Sequence, residues 1–404
     1  MEQKHVVVLG GGASGLMAAL AAQSKGARVT VVEKNHRIGK KLITTGNGRC
    51  NYTNRHAQAQ DYNCPDFVRE VFSRFSPQDT VDFFQQLGIE PKDEAGGKVF
   101  PMSEQASSFL DVFLYEFGIR DIHLVLDATV ESVERIKDRF RVHILYASSI
   151  DADRIIIALG GKAFPLSGST GDGERIARML GHESTELYPA LVKLKIDSPY
   201  LSHLAGVKIN TNVALLRDGD VIQVESGDLL FTPYGLSGPT ILQLSRQANA
   251  LLRNGQKSFI QFNLLPSTPE ASVRNRLCNN PEKPLNQVLI GLIHKRFIIP
   301  IIKEIGIDSP GLLLKDVSEV QREKLMELLY EWKVQISGSL GFSEAQITIG
   351  GVRLSDIDPA TMASKIMSGA YFAGEVMDID GPCGGYNLQW AWSSGFVAGI
   401  NAAR

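Results

Sequence analysis

The chain opens on an apolar run, Val6-Val7-Val8-Leu9, that stops at three glycines and gives way to an alanine-rich stretch. A second apolar run, Arg28 to Glu33, follows at βαβ spacing, so the pattern predicts strand 5–10, helix 14–25 and strand 28–33. Residues 37–54 lose all hydrophobic period and carry Gly39, Gly46 and Gly48, which predicts a loop. Ser76-Pro77 caps an expected helix to Leu87, and Ser103 with Glu104 opens another to Phe117. Alternating runs at 123–126, 128–133, 140–146 and 154–158 predict a small antiparallel meander crossing over from a parallel sheet. Gly171-Asp172-Gly173 then starts a helix that Gly181 stops.

From about Leu191 the texture changes. Strand signals at 207–216, 221–224, 229–232 and 258–263 come without a long helical period, whereas 266–330 is helical. Strand texture returns at 334–336 and glycine turns at Gly350-Gly351. At 404 residues the chain exceeds the roughly 250–300 that one core serves. The expected class is α/β. A dinucleotide-binding, Rossmann-like domain (1–191 and 337–404) is interrupted by a β-rich barrel domain (192–265 and 331–336) and a helical subdomain (266–330).

Charge removes some functions. With 42 basic and 44 acidic residues, nothing signals a non-specific nucleic-acid or membrane surface. Cys50, Cys64, Cys278 and Cys383 form no C-x-x-C pair, as free thiols in a reducing cytosol would not. The eight histidines lack ligand spacing, so no metal site is expected. Met1 to Lys4 carries little positive charge and glycines break the apolar stretch behind it, so the expectation is a cytoplasmic protein without an export signal or membrane span.

The first turn is a G-x-G-x-x-G fingerprint. Gly10 permits the tight turn, Gly12 lets backbone approach a pyrophosphate, and Gly15 lets helix pack on strand. N–H groups at Ala13 and Ser14 face the phosphates, and Glu33 at the end of the second strand is placed for ribose hydroxyls. FAD and NAD both fit. The other end of the chain carries a second glycine cluster, Gly374-Glu375 and then Gly384-Gly385-Tyr386-Asn387-Leu388, before a last helix. Ala391, Gly395 and Gly399 give that helix a small-residue face. Two such ends suggest one flavin dinucleotide clasped by both.

Three segments carry a resemblance. Gly46-Asn47-Gly48-Arg49-Cys50-Asn51-Tyr52-Thr53-Asn54 with Lys40-Lys41, Phe231 to Pro239, and Gly374 to Trp392 together resemble the YhiN/BaiN-type FAD-dependent oxidoreductases, in order and over essentially the whole chain. Pro233 departs from the pattern, standing where a histidine is common, so no histidine role is carried over. The resemblance implies a glutathione-reductase-type FAD domain interrupted by a β-barrel with a helical subdomain. FAD is expected to be non-covalent, since the 46–54 loop has no histidine anchor.

Expected cofactor contacts, besides the fingerprint and Glu33, are Lys34, Lys41, Gly48, Arg49, Cys50, Val130, Ala158, Gly160, Gly161, Thr170, Gly171 and Asp172. They extend to Gly374, Glu375 (for ribitol hydroxyls) and Gly384 to Leu388, where helix N–H groups support charge at the flavin N1–C2=O edge. Arg49, Asn51 and Asn54 are the candidate catalytic residues; the plainer alternative is that they bind phosphate or hold the loop. Cys50 and Cys383 invite a redox-dithiol idea that sequence alone does not place.

No second nicotinamide fingerprint exists: Gly168 to Gly173 has the wrong glycine order and better suits touching FAD. The expected activity is hydride transfer to a carbonyl-conjugated double bond or similar small-molecule acceptor, with electrons from NAD(P)H or another donor. Some relatives reduce steroid-like enones, but no residue here identifies a steroid pocket. A flavin-dependent RNA-modifying or RNA-binding protein and a non-catalytic FAD redox sensor are the alternatives.

Overall fold

His5–Leu9 is buried at every residue because it lies in the middle of a five-stranded sheet. All five strands are parallel, in the order Ala370–Phe372, Arg154–Ile157, His5–Leu9, Arg28–Val32 and His123–Val125. Strands covered on both faces read as continuous apolar runs, which explains Val6-Val7-Val8 and Ile155-Ile156-Ile157. The meander expectation is corrected here. Residues 123–125 and 154–157 belong to the parallel sheet, and the antiparallel meander is Val130–Ile136, Arg139–Ile144 and Ile150–Ala152.

The computed structural model describes residues 3–404. The chain forms two compact units, one holding residues up to Pro189 and again from Ala345, the other holding Ala190–Glu344. In the first unit, helix Ala13–Gln23 follows the glycine turn and helix Tyr386–Ala402 ends the chain. The helix expected from Ser103 begins later, at Ser107, because Glu104 sits at φ 54°, a left-handed conformation outside any helix. A short helix, Pro65–Phe72, occupies a stretch where no element was expected; Pro65 opens it, as a proline at a first helical position does.

The second unit contains a closed barrel of strands 194–197, 235–237, 220–232, 208–217, 258–262 and 332–339, in that spatial order. One helix corrects the reading of 192–265 as lacking long helices: Pro239–Arg253 runs for 15 residues. Ile241, Leu244, Ala248 and Leu251 are buried at helical spacing, a period hidden among strand signals. Segment 266–330 folds in the same unit as helices that include Glu270–Cys278, Ile298–Glu304 and Glu319–Tyr330. Phe297 joins Phe231 and Trp332 in one aromatic core, with ring centroids 5.3 and 5.9 Å apart. Among the described residues, no helix is long and apolar enough to cross a membrane and no cluster of side chains suits a metal ion.

Candidate functional site

The two ends of the chain meet inside the first unit. A Cβ on Gly395 would collide with Ser14 O, and one on Gly399 with Ala18 O, so the small face of the last helix lets it lie directly on the first. Further bonds tie the ends together. Ser14 Oγ donates to Ala373 O at 3.2 Å, Gly374 N donates to Ser394 Oγ at 2.9 Å, and Trp390 Nε1 donates to Gly374 O at 3.2 Å. A side chain on Gly15 would run into Gly10 O, and one on Gly10 into Ala158 O. Above Gly12, by contrast, a Cβ would meet nothing within 4 Å. That open space stands over a helix N-terminus with no side-chain cap and no acid in its first turn, the cradle an anion requires.

Glu33 is buried at this turn. Its Oε2 accepts from Gly11 N at 2.8 Å, and its Oε1 from Asn35 N and Nδ2 at 2.8 and 2.6 Å. Three donors fix the carboxylate and still leave a lone pair for a hydroxyl. Next to it, Lys34 Nζ reaches Thr170 Oγ1 at 2.6 Å and Asp172 Oδ2 at 2.7 Å, so the 168–173 loop is tied to the end of the second strand. The Asp172 carboxyl is held below its ordinary range by Lys34, Thr170 and Arg175, which together outweigh its burial. Arg175 also donates to Val130 O at 2.7 Å, bringing Val130 to the same helix.

Glu375 lies farther along. Lys41 Nζ contacts its Oε2 at 2.7 Å, and Thr348 N donates to its Oε1 at 2.6 Å. Thr348 Oγ1 accepts from Lys162 N and Ala163 N at 2.8 and 2.9 Å, just after Gly160-Gly161. Nothing in the sequence marked Thr348, because its role is set by chain crossings rather than by any motif.

The 46–54 loop is anchored to the last helix. Gly385, at φ 100°, packs so closely on Thr53 O that any side chain would clash. Thr53 Oγ1 bonds Gln389, which continues to Thr80 and Ser393 at 2.8 Å each, and Trp392 Nε1 donates to Tyr52 O at 2.8 Å. Beneath the loop, Tyr52, Phe84, Phe109 and Trp392 pack as an aromatic floor, with Phe84 edge-on to Tyr52 and Trp392. Asn387 is occupied locally, accepting from Gly381 N at 3.0 Å and donating to Gly381 O at 2.9 Å. Leu388 follows half-buried in the same first turn.

The three candidate catalytic residues differ in their surroundings. Arg49 pairs with Glu94 at 2.8 Å and lies over the Phe100 ring at 4.1 Å. Asn54 donates to Gly96 O at 3.0 Å and Gly384 O at 2.9 Å, and accepts from His56 N at 2.9 Å. Asn51 Oδ1 is buried beside Gly385 without a hydrogen-bond partner. A Cβ on Gly48 would meet nothing within 4 Å, so the loop offers open backbone at that point. All four cysteines are free, and burial pushes the Cys50 thiol up to about 12, away from the thiolate form that redox exchange needs.

A second residue, besides Thr348, was missed. Glu174, two positions after Asp172, is buried with both carboxyl oxygens unpartnered. Orphaned buried acceptors at Glu174 and Asn51, together with the open cradle at Gly12, are features a dinucleotide fits.

Comparison with known proteins extends this picture. The model of the HI0933-like protein Rossmann domain matches residues 4–401. The 3-dehydro-bile acid delta(4,6)-reductase of Clostridium scindens is 35% identical, over 99% of both chains. The ribosomal RNA dihydrouridine synthase of Escherichia coli is 30% identical, over 98% of this chain and 97% of its own. Among solved structures, a 3-ketosteroid delta1-dehydrogenase from Sterolibacterium denitrificans shares the fold at TM-score 0.52 and 12% identity, with full coverage of both chains. The chain therefore belongs to the HI0933-like family, the YhiN/BaiN-type FAD-dependent oxidoreductases.

Proposed function

We propose that this protein is a cytoplasmic reductase that saturates a double bond conjugated to a carbonyl group, taking electrons from NAD(P)H or another donor. The observation that carries the reading is the 35% identity, end to end, with a protein named as a bile-acid delta(4,6)-reductase. FAD supplies a hydride when bound. In this reading Gly12, Ala13 and Ser14 hold the pyrophosphate, Glu33 the ribose and Glu375 the ribitol. The N-terminus of the last helix, from Gly385, offers N–H groups to the flavin's carbonyl edge. Asn51 and Arg49 orient the acceptor: the buried Oδ1 of Asn51 has no protein partner, while Glu94 and Phe100 fix the Arg49 guanidinium.

The Escherichia coli relative supports a second reading with the same chemistry. Forming dihydrouridine also saturates a carbon–carbon bond conjugated to a carbonyl, so an RNA uracil and a small enone are two acceptors for one reaction. The barrel unit's 17 Lys and Arg against 15 Asp and Glu leave a surplus of only two basic residues for RNA, which favours the small acceptor.

Anaerobic reduction followed by an acceptor screen tests the proposal. NADPH or NADH is expected to bleach the flavin, and a panel of cyclic enones to restore its colour. Recovery with uracil-containing RNA alone would move the assignment to the second reading. A flavin that no nicotinamide reduces would favour the non-catalytic redox sensor.

A further inference from the structure

We propose that Glu174 is a cofactor-side residue working as a neutral acid, its carboxyl donating a hydrogen bond to an oxygen in the pyrophosphate–ribitol stretch of the bound dinucleotide. The proposal rests on the flavin reading above.

Glu174 lies in the first turn of helix Asp172–Met179, which starts after Gly171 at φ 87° without a side-chain cap. The residue is only 3% exposed, and neither carboxyl oxygen has a hydrogen-bond partner in another residue. Neighbouring carboxylates are not in this position. Asp172 holds Lys34, and Glu375 holds Lys41 and Thr348 N. A buried carboxylate with no donor beyond its own backbone N–H is costly if ionised, so this site favours the protonated form or a ligand that completes it.

The location points to the ligand. A Cβ on Gly171 would press on the Lys162 side chain and sit 3.6 Å from Glu174 Oε2. One on Gly173 would meet Val376 and Gly160 O. The carboxyl thus stands where segments 160–162, 171–174 and 374–376 converge, three segments that the sequence alone marks as cofactor contacts.

The charged groups facing it are few. Burial acts first and raises its proton affinity; the residue's own backbone N–H opposes that, Glu375 adds to it, and Lys162 opposes and Asp172 adds in smaller measure. Lys41 and Lys34 stand behind Glu375 and Asp172 as their partners. The balance pushes the Glu174 acid up to about 7. Protonated, it donates to a phosphate or hydroxyl oxygen; ionised, it repels the pyrophosphate.

The test follows FAD release from the purified holoprotein by recovery of flavin fluorescence on dilution, between pH 6.5 and 8.5. The wild-type Kd is expected to rise about tenfold over that interval as the acid ionises. Glu174→Gln keeps a donor and cannot ionise, so its Kd should stay flat and match the wild-type value at pH 6.5. Glu174→Ala should be flat but weaker throughout, with circular dichroism reporting that each variant is folded.

Displacement by ADP at both pH values locates the contact. An ADP profile that Glu174→Gln flattens places it on the phosphates; an effect with FAD alone places it on the ribitol. Wild-type and Glu174→Gln profiles of equal slope would overturn the proposal while leaving the flavin reading intact. A wild-type protein that binds no FAD at any pH would overturn both.

Discussion

Two regions of the proposed cofactor site are built on opposite plans. At the glycine turn, Glu33 is held by three N–H donors and the backbone is packed so that Gly10 and Gly15 admit no side chain. Around the 46–54 loop and in the 171–174 turn, by contrast, Asn51 Oδ1 and both oxygens of Glu174 are buried without a partner in another residue. The first region is complete before any ligand arrives. The second is an incomplete set of hydrogen bonds that a ligand must finish. In the proposed site, preorganisation thus marks the part that is built before binding, and unsatisfied polarity the part that binding would complete.

This contrast is broken most directly at Gly15. A methyl there collides with Gly10 O, which belongs to the backbone and has little room to yield. Gly15→Ala should cost about 2–3 kcal/mol of stability, read from urea unfolding. A variant as stable as wild type would mean that the turn is looser than its geometry. Glu33→Ala comes next: it strands Gly11 N and the Asn35 donors and removes the proposed ribose partner. A charge-assisted bond is worth about 1.5–3 kcal/mol, so FAD affinity should fall by about 10- to 100-fold. Glu375→Ala, which frees Lys41 and Thr348 N, should lose about tenfold. If both variants purify fully yellow, the placement of ribose and ribitol is wrong.

The asparagine pair sharpens the comparison on a smaller scale. Asn54 makes three bonds that close the loop, so Asn54→Ala should lower stability by about 1–2 kcal/mol. Asn51→Ala removes an acceptor that has no protein partner. It should leave the melting temperature nearly unchanged and instead slow reoxidation of the reduced flavin by the acceptor. Equal stability losses in the two variants would show that Asn51 only holds the loop.

Much of the glycine-turn region was legible in the sequence because its signals are local. Glycine spacing, an apolar strand and an acid at the end of the next strand all lie within the first 33 residues. The small face of the last helix was legible for the same reason, as Ala391, Gly395 and Gly399 recur within a few turns. What escaped depends on chain crossings. Thr348 matters because two distant segments meet at its hydroxyl, and Glu174 because no other residue hydrogen-bonds its buried carboxyl. The helix Pro239–Arg253 was hidden differently, since its apolar period sits between strands with equally apolar runs. His123–Val125 and Arg154–Ile157 were read as strands but given to the wrong sheet, because pairing partners are not written in a strand's own residues.

The smallest expected effect is a pH dependence of folding in the protein stripped of FAD. His5 and His182 are buried in the first unit; His5 bonds Thr30 Oγ1 and Asp151 O, and His182 bonds Ser364 Oγ while packing on Phe372. Burial lowers the proton affinity of both below the ordinary 6.5. The unfolded chain therefore binds protons that the folded chain refuses, and stability should fall as pH drops below about 6.5. Glu174 acts in the opposite sense. Its folded value of about 7 lies above the ordinary 4.5, so it costs stability as pH rises between those values. The two trends overlap near pH 6 and partly cancel in wild type. Glu174→Gln removes one of them, so the acid-side loss should become steeper in that variant's urea midpoints, and a further His182→Gln change should flatten it again. Parallel midpoint curves for wild type and Glu174→Gln would mean that the Glu174 carboxyl finds a donor when the cofactor is gone, and the contrast between the two regions would narrow to Asn51.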